Sequence, residues 1–95
     1  MIVGVSIIEI FFSEKHSLKD KRQTTRKIVE RIRTRFNISV MEVEQTNLWQ
    51  RAEVAFAIVG VKKDHVEAAV ENVHRFVDSL YVGEIINTKT EIIMM

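Results

Sequence analysis

Basic side chains are concentrated in one segment of the 95-residue chain, and their type and spacing suit contact with phosphate groups. From Ser13 to Asn37, nine Lys and Arg residues face three acidic ones, so the segment carries 9 − 3 = +6, whereas the whole chain carries +1. The remaining residues therefore sum to −5. A guanidinium fork can bind a phosphate through two parallel hydrogen bonds. The sequence thus predicts a basic surface on an otherwise acidic protein.

The helical period selects four of these basic residues as one ridge. Projected at 100° per residue, the ridge consists of Lys19, Arg22, Arg26 and Arg33. We predict that they bind the repeating phosphates of a nucleic acid, with affinity drawn mainly from counterion release and with weak sequence specificity. Three more basic residues are predicted as outer contacts, namely Lys15, Lys21 and Arg35. The alternative is an ordinary solvated helix in which Glu30 pairs with Arg26 and Arg33, each pair contributing about 0.3–0.5 kcal/mol.

The ridge requires a helix, and the sequence predicts one that begins at Leu18. Ser17 can cap the free N–H groups of the first turn, and Asp20 follows at the spacing of a capping box. An apolar face is predicted from Leu18, Thr25, Val29, Ile32 and Phe36. A second helix is predicted to be capped by Asp64 with Glu67, to carry an apolar stripe from Val66 to Leu80 and to stop at Gly83.

Four segments have the β-branched composition or the alternation of strands. They are Ile2 to Phe12, Ile38 to Gln45, Arg51 to Val61 and Glu84 to Met94, with a hairpin predicted at Thr46–Trp49. The first is apolar on both faces, which is typical of a central strand. The order β-α-β-β-α-β predicts an α+β, ferredoxin-like sandwich, with two helices on one face of a four-stranded antiparallel sheet. One domain over residues 1–95 is expected.

The sheet face away from the helices is predicted to be an apolar contact surface. If Phe56 and Ile58 point toward the helices, six side chains share the open face: Val5, Ile7, Phe11, Ala55, Ala57 and Val59. Uncovered apolar patches of this kind commonly mark contact sites. We therefore predict a homodimer or a protein partner docked there, unless the chain's own tail, Ile92 to Met95, covers the residues near the strand ends.

The sequence lacks the residues that several kinds of chemistry require. The chain has no Cys, which removes disulfides and thiolate chemistry. Its three histidines, His16, His65 and His74, lack ligand spacing, so neither a metal nor a cofactor is predicted. We interpret His74, with Glu71 and Asp78 on the same helix flank, as a surface salt-bridge cluster. No apolar run is long enough to cross a membrane and no signal peptide is evident, so a cytoplasmic location is predicted.

An enzymatic role is not predicted. The loop between the first strand and the first helix, Phe12 to Ser17, contains no glycine, so it does not provide the backbone nest that acyl-phosphate chemistry on this fold would require. No small-molecule substrate is suggested. The third strand also lacks the exposed aromatic pair on which related sheets stack bases, so any RNA contact should come from the helix. Trp49, beside Arg51, is better explained as a seal at the edge of the core.

Four short blocks of the sequence resemble the YlxP-like family of small bacterial domains of unassigned function. They are Met1 to Val5, Ser17 to Arg22, Arg35 to Asn37 and Leu48 to Ala52, and the resemblance covers nearly the whole chain. It implies a ferredoxin-like fold and a cytoplasmic protein whose relatives are often encoded beside translation-initiation and ribosome-maturation genes. RNA or a ribonucleoprotein is therefore the favoured polyanion. The alternative is a protein–protein interaction module with no nucleic-acid role. The chain departs from the family pattern at Ile7 and Phe11, where relatives tend to be more polar.

Overall fold

The computed structural model describes residues 1–13, 17–43 and 50–95. Its elements follow the order β1 (Ile2–Phe11), α1 (Leu18–Arg35), β2 (Ser39–Val43), β3 (Arg51–Gly60), α2 (Lys63–Ser79) and β4 (Glu84–Met94). Across the described residues, the strands form one antiparallel sheet in the order β2-β3-β1-β4, and both helices pack on the same face. The predicted α+β, ferredoxin-like fold is confirmed. The predicted hairpin at 46–49 lies outside the described residues.

Strand β1 lies in the middle of the sheet, as its apolar composition predicted. It pairs with β3 on one side and with β4 on the other. Alternate residues of β1 and β3, such as Ile8, Ile10, Val54 and Phe56, are buried under the helices, because successive side chains of a strand point to opposite faces. The intervening residues of both strands therefore form the open face.

Helix α1 begins where the capping signal placed it. The backbone N–H of Asp20 donates to the Ser17 side-chain oxygen at 3.1 Å, which satisfies one of the free donors of the first turn. The helix buries Thr25, Ile28 and Ile32 against the sheet. Thr25 needs a partner there, and its hydroxyl donates to the Lys21 carbonyl one turn earlier at 2.8 Å.

Helix α2 starts differently from the prediction. It begins at Lys63, the N-cap residue is Lys62, and no side chain caps the first turn. The predicted capping role of Asp64 is wrong, because Asp64 already lies inside the first turn, where its charge is favourable beside the positive end of the helix dipole. The helix ends at Ser79, and Tyr81, two residues later, adopts a positive φ of 54°.

Four valines hold α2 against the sheet at helical spacing, namely Val66, Val70, Val73 and Val77. The approach is close because the strand beneath carries Gly4. A Cβ atom at that position would lie 2.7 Å from a Val66 methyl carbon and 3.1 Å from a Val70 methyl carbon. The helix therefore lies directly over β1 and β3. Among the described residues, no helix is both long enough and apolar enough to cross a membrane.

Candidate polyanion-binding surface

Helix α1 carries eight of the 14 Lys and Arg residues of the protein, most of them on its solvent side. Its 18 residues include eight Lys and Arg and two acidic residues, Asp20 and Glu30, so its net charge is 8 − 2 = +6. Lys19, Arg22 and Arg26 are exposed, and no carboxylate of the described residues forms an ion pair with them. These three residues are the part of the predicted ridge that makes no ion pair with a described residue.

Arg33, the fourth ridge residue, is engaged within the protein. One guanidinium nitrogen donates to the Glu30 carboxylate at 2.8 Å, and the other donates to the backbone carbonyl of Val40 in β2 at 3.0 Å. The Arg33 side chain is still 52% exposed, so part of its charge faces solvent. The predicted pair of Glu30 with Arg33 is thus present, whereas Glu30 makes no ion pair with Arg26.

The outer contacts predicted from the sequence separate into three cases. Lys21 is only 6% exposed, so its assignment as a surface contact is corrected. It lies four residues before Thr25 and seven before Ile28, which places it on the buried face of the helix. Arg35 is exposed at the end of the helix, and Lys15 lies outside the described residues.

A second row of cations, which the predicted ridge does not include, runs along the other flank of α1. Lys27, Arg31 and Arg35 are exposed and follow one another at intervals of four residues, so they stack along one side of the helix. Arg31 and Arg35 border a shallow cleft that also includes Phe76 of α2. The repeated spacing of four was the signal that could have found this row.

The acidic side chains of α2 lie away from α1. Phe76 meets Phe36 edge-on with ring centroids 5.5 Å apart, so that flank of α2 faces α1. His74 contacts β1 and β4 on the opposite flank. Three acidic residues share the His74 flank because they lie seven and three residues before it and four after it: Glu67, Glu71 and Asp78. The positive field of α1 is therefore not cancelled by the neighbouring helix.

His74 is part of a hydroxyl cluster, which corrects its interpretation as a surface salt-bridge residue. Its Nε2 atom lies 2.8 Å from the Ser6 hydroxyl oxygen, which in turn lies 3.0 Å from the Thr90 hydroxyl oxygen. Burial lowers the pKa of His74 below the ordinary value of 6.5, and the nearby Glu71 carboxylate opposes that shift. Ser6 is 1% exposed under the helix, so a substrate cannot reach its hydroxyl, and the cluster serves to satisfy buried polar groups.

The six residues predicted for the open face all lie on the side of the sheet away from the helices. Val59 is 64% exposed, and the other five residues are half-buried. Charges interrupt the patch, because Glu9 lies directly opposite Glu53 and Arg51 approaches Glu9 at 4.0 Å. The tail does not cover this face, since Ile92 to Met94 belong to β4 and extend the sheet sideways.

In the described part of the chain, no three His, Asp or Glu side chains are grouped closely enough to hold a metal ion. The arrangement on α1 is instead suited to a simpler task, contact with a polyanion. It presents two rows of exposed cations, flexible enough to follow a backbone of repeating negative charges. Such an open surface suits a repeating charge better than it suits one base or one small molecule.

Comparison with known proteins places the chain in a family. Two designed proteins of known structure resemble it: Foldit4, with a TM-score of 0.56 and 19% identity over 100% of this chain and 99% of that one, and Ferredog-Diesel, with a TM-score of 0.46 and 17% identity over 96% and 84%. The first likeness concerns the fold alone. The uncharacterized protein YlxP of Bacillus subtilis (strain 168) is 30% identical over 90 residues, which are 95% of this chain and 98% of the relative. A family profile described as "Protein of unknown function (DUF503)" matches residues 3–90, and the chain therefore belongs to the DUF503 family.

Proposed function

We propose that this protein is a non-catalytic RNA-binding protein that contacts the RNA backbone through α1. The observation that supports the proposal is the exposure of Lys19, Arg22 and Arg26, without an ion pair to any described carboxylate, on a helix of net charge +6. Three exposed cations close together lower the free energy of a bound polyanion because each phosphate that they neutralise releases condensed counterions. The ligand is RNA or a ribonucleoprotein, in keeping with the translation-initiation and ribosome-maturation genes that the family resemblance implies as neighbours.

The length of α1 and its two rows of exposed cations suit a ligand with a repeating phosphate backbone. Eighteen helical residues span about 27 Å, and cations four residues apart lie about 6 Å apart along the axis. The row of Lys27, Arg31 and Arg35 provides a second set of cations for phosphate contacts, beside the predicted ridge. Contacts of this kind read phosphate and shape, so the protein should discriminate little between RNA sequences.

A direct binding test separates this surface from the rest of the protein. In fluorescence anisotropy with a labelled single-stranded RNA at fixed salt, the triple variant Lys19→Gln, Arg22→Gln, Arg26→Gln should bind at least about 10-fold more weakly than the wild type. The matched control is Arg75→Gln, which removes one exposed charge from α2 and should change the affinity by less than about twofold. Equal affinities for the wild type and the triple variant would refute the proposal.

The second candidate uses the same surface for an acidic protein partner without any nucleic acid. It is favoured by the same exposed cations, since a carboxylate-rich surface also complements them. Affinity capture from lysate separates the two candidates. Partners that survive nuclease treatment and disappear with the triple variant would favour the acidic protein, whereas partners released by nuclease treatment favour RNA.

The homodimer through the open face stays a prediction. Its apolar side chains, including Val59 and Ile7, are available there, but Glu9 and Glu53 would also have to be accommodated. Analytical ultracentrifugation of a Val59→Lys variant tests it, because a lysine at the most exposed of these positions should dissociate a dimer that uses this face.

A further inference from the structure

Strand β4 forms one lateral edge of the sheet and is unusually long for an edge strand. It has 11 residues, most of them exposed, and among the described residues none pairs with its outer edge. The opposite edge is different, because the described part of β2 has five residues and Arg33 donates a hydrogen bond to its Val40 carbonyl. A long edge strand with free backbone N–H and C=O groups is a template for pairing with another strand.

Two oppositely charged side chains of β4 lie on either side of Thr90. Lys89 and Glu91 flank it and lie on the open face, as their pairing with Ile7 and Val5 of β1 shows. The Thr90 hydroxyl oxygen lies 3.0 Å from the Ser6 hydroxyl oxygen, so this side chain is fixed on the helix side. We propose that β4 pairs antiparallel with β4 of a second copy of this chain, about a two-fold axis that passes through Thr90.

This register brings opposite charges together twice. With Thr90 facing its own copy, Lys89 lies directly opposite Glu91 of the second chain, and the symmetry repeats the pair. Directly opposite residues of antiparallel strands have Cβ atoms about 4.5–5.5 Å apart, close enough for such pairs to contribute. An axis one residue earlier places Lys89 against itself, and an axis one residue later places Glu91 against itself, which is unfavourable in both cases. Charge complementarity therefore selects Thr90.

The backbone of β4 is suited to the same register. The ladder with β1 is regular from Asn87 to Met94, and its irregularity lies before that stretch. An axis at Thr90 pairs residues 87–93 with 93–87, which uses almost all of the regular stretch and forms about 6–8 hydrogen bonds. The two copies of β1 would lie three strand spacings apart, about 14 Å. The product is one continuous eight-stranded sheet.

A single introduced thiol tests the axis, because the chain contains no Cys. In the proposed dimer, the two Thr90→Cys positions face each other with Cα atoms about 4.5–5.5 Å apart, within the range that a disulfide spans. The matched control is Thr88→Cys, on the same face, whose two copies would be offset by four residues, about 13 Å along the strand. Under mild oxidation of the full chain, Thr90→Cys should form covalent dimers at least about 10-fold faster. Equal rates, or a faster Thr88→Cys, would overturn the proposal.

Charge exchange provides a second test that does not depend on oxidation. In sedimentation velocity at a series of protein concentrations, Lys89→Glu should weaken the dimer at least about 10-fold, because each symmetric pair then joins two carboxylates. The double variant Lys89→Glu, Glu91→Lys exchanges the charges and should restore association to within about threefold of the wild type. A wild type that stays monomeric at millimolar concentration would contradict the β4 dimer, as would a double variant no better than the single one.

Discussion

Replacing Arg33 with glutamine should destabilise the fold, although the residue belongs to the predicted basic ridge. The change removes the hydrogen bond to the Val40 carbonyl, worth about 1 kcal/mol. It also removes the pair with Glu30, worth only about 0.3–0.5 kcal/mol because both side chains are more than half exposed. The expected loss is therefore about 1–1.5 kcal/mol in the free energy of unfolding, or a fall of about 4–12 °C in Tm for a domain of this size.

Urea denaturation of the wild type and three variants tests this expectation and separates the contribution of the ion pair from that of the hydrogen bond. Glu30→Gln should lose only about 0.5 kcal/mol, because it removes the ion pair and leaves the hydrogen bond to Val40. Arg22→Gln should lie within about 0.5 kcal/mol of the wild type, since Arg22 makes no ion pair with a described residue. If Arg33→Gln proved as stable as Arg22→Gln, then Arg33 would not hold α1 to β2, and the division of the ridge into structural and solvent-facing cations would fail.

Two further predictions concern stability. Burial lowers the pKa of His74, so the unfolded chain binds a proton first as the pH falls through 6.5 toward the lowered pKa, and the stability present above the unfolded pKa is progressively lost. In urea unfolding between about pH 7.5 and 5.5, His74→Gln should flatten that fall, and a slope equal to that of the wild type would contradict the assignment. Tyr81 holds a φ of 54° while 90% exposed, so Tyr81→Gly should raise the free energy of unfolding by about 0.5–1 kcal/mol in the same assay, with no gain expected from Tyr81→Ala.

The fold could be read from local signals that agree with one another. Ser17 before Leu18 identified the start of α1, and alternation around Phe56 separated the two faces of β3. The start of α2 was misplaced because Asp64 and Glu67 imitate a capping pair, while the backbone turn at Lys62 that starts the helix has no side-chain signature. Local propensity therefore predicted the elements better than their ends.

The candidate site was only partly predictable, because the sequence does not show which partner a long side chain will contact. Helical spacing identified Arg22 and Arg26 as neighbours, but no pattern shows that Arg33 would reach a carbonyl in β2. Lys21 was misjudged for a different reason. Its spacing from Thr25 places it on the buried face, and the expectation that lysine is exposed took precedence over that periodicity.

The salt dependence of RNA binding tests the central claim most directly. For a single-stranded RNA, the slope of log Kobs against log salt concentration should become shallower by about 0.7 for each phosphate that the variant no longer neutralises. The double variant Arg22→Gln, Arg26→Gln should therefore reduce the slope by about 1.4, while Arg75→Gln on α2 should leave it unchanged. An unaltered slope in the double variant would show that the exposed cations of α1 do not meet phosphates.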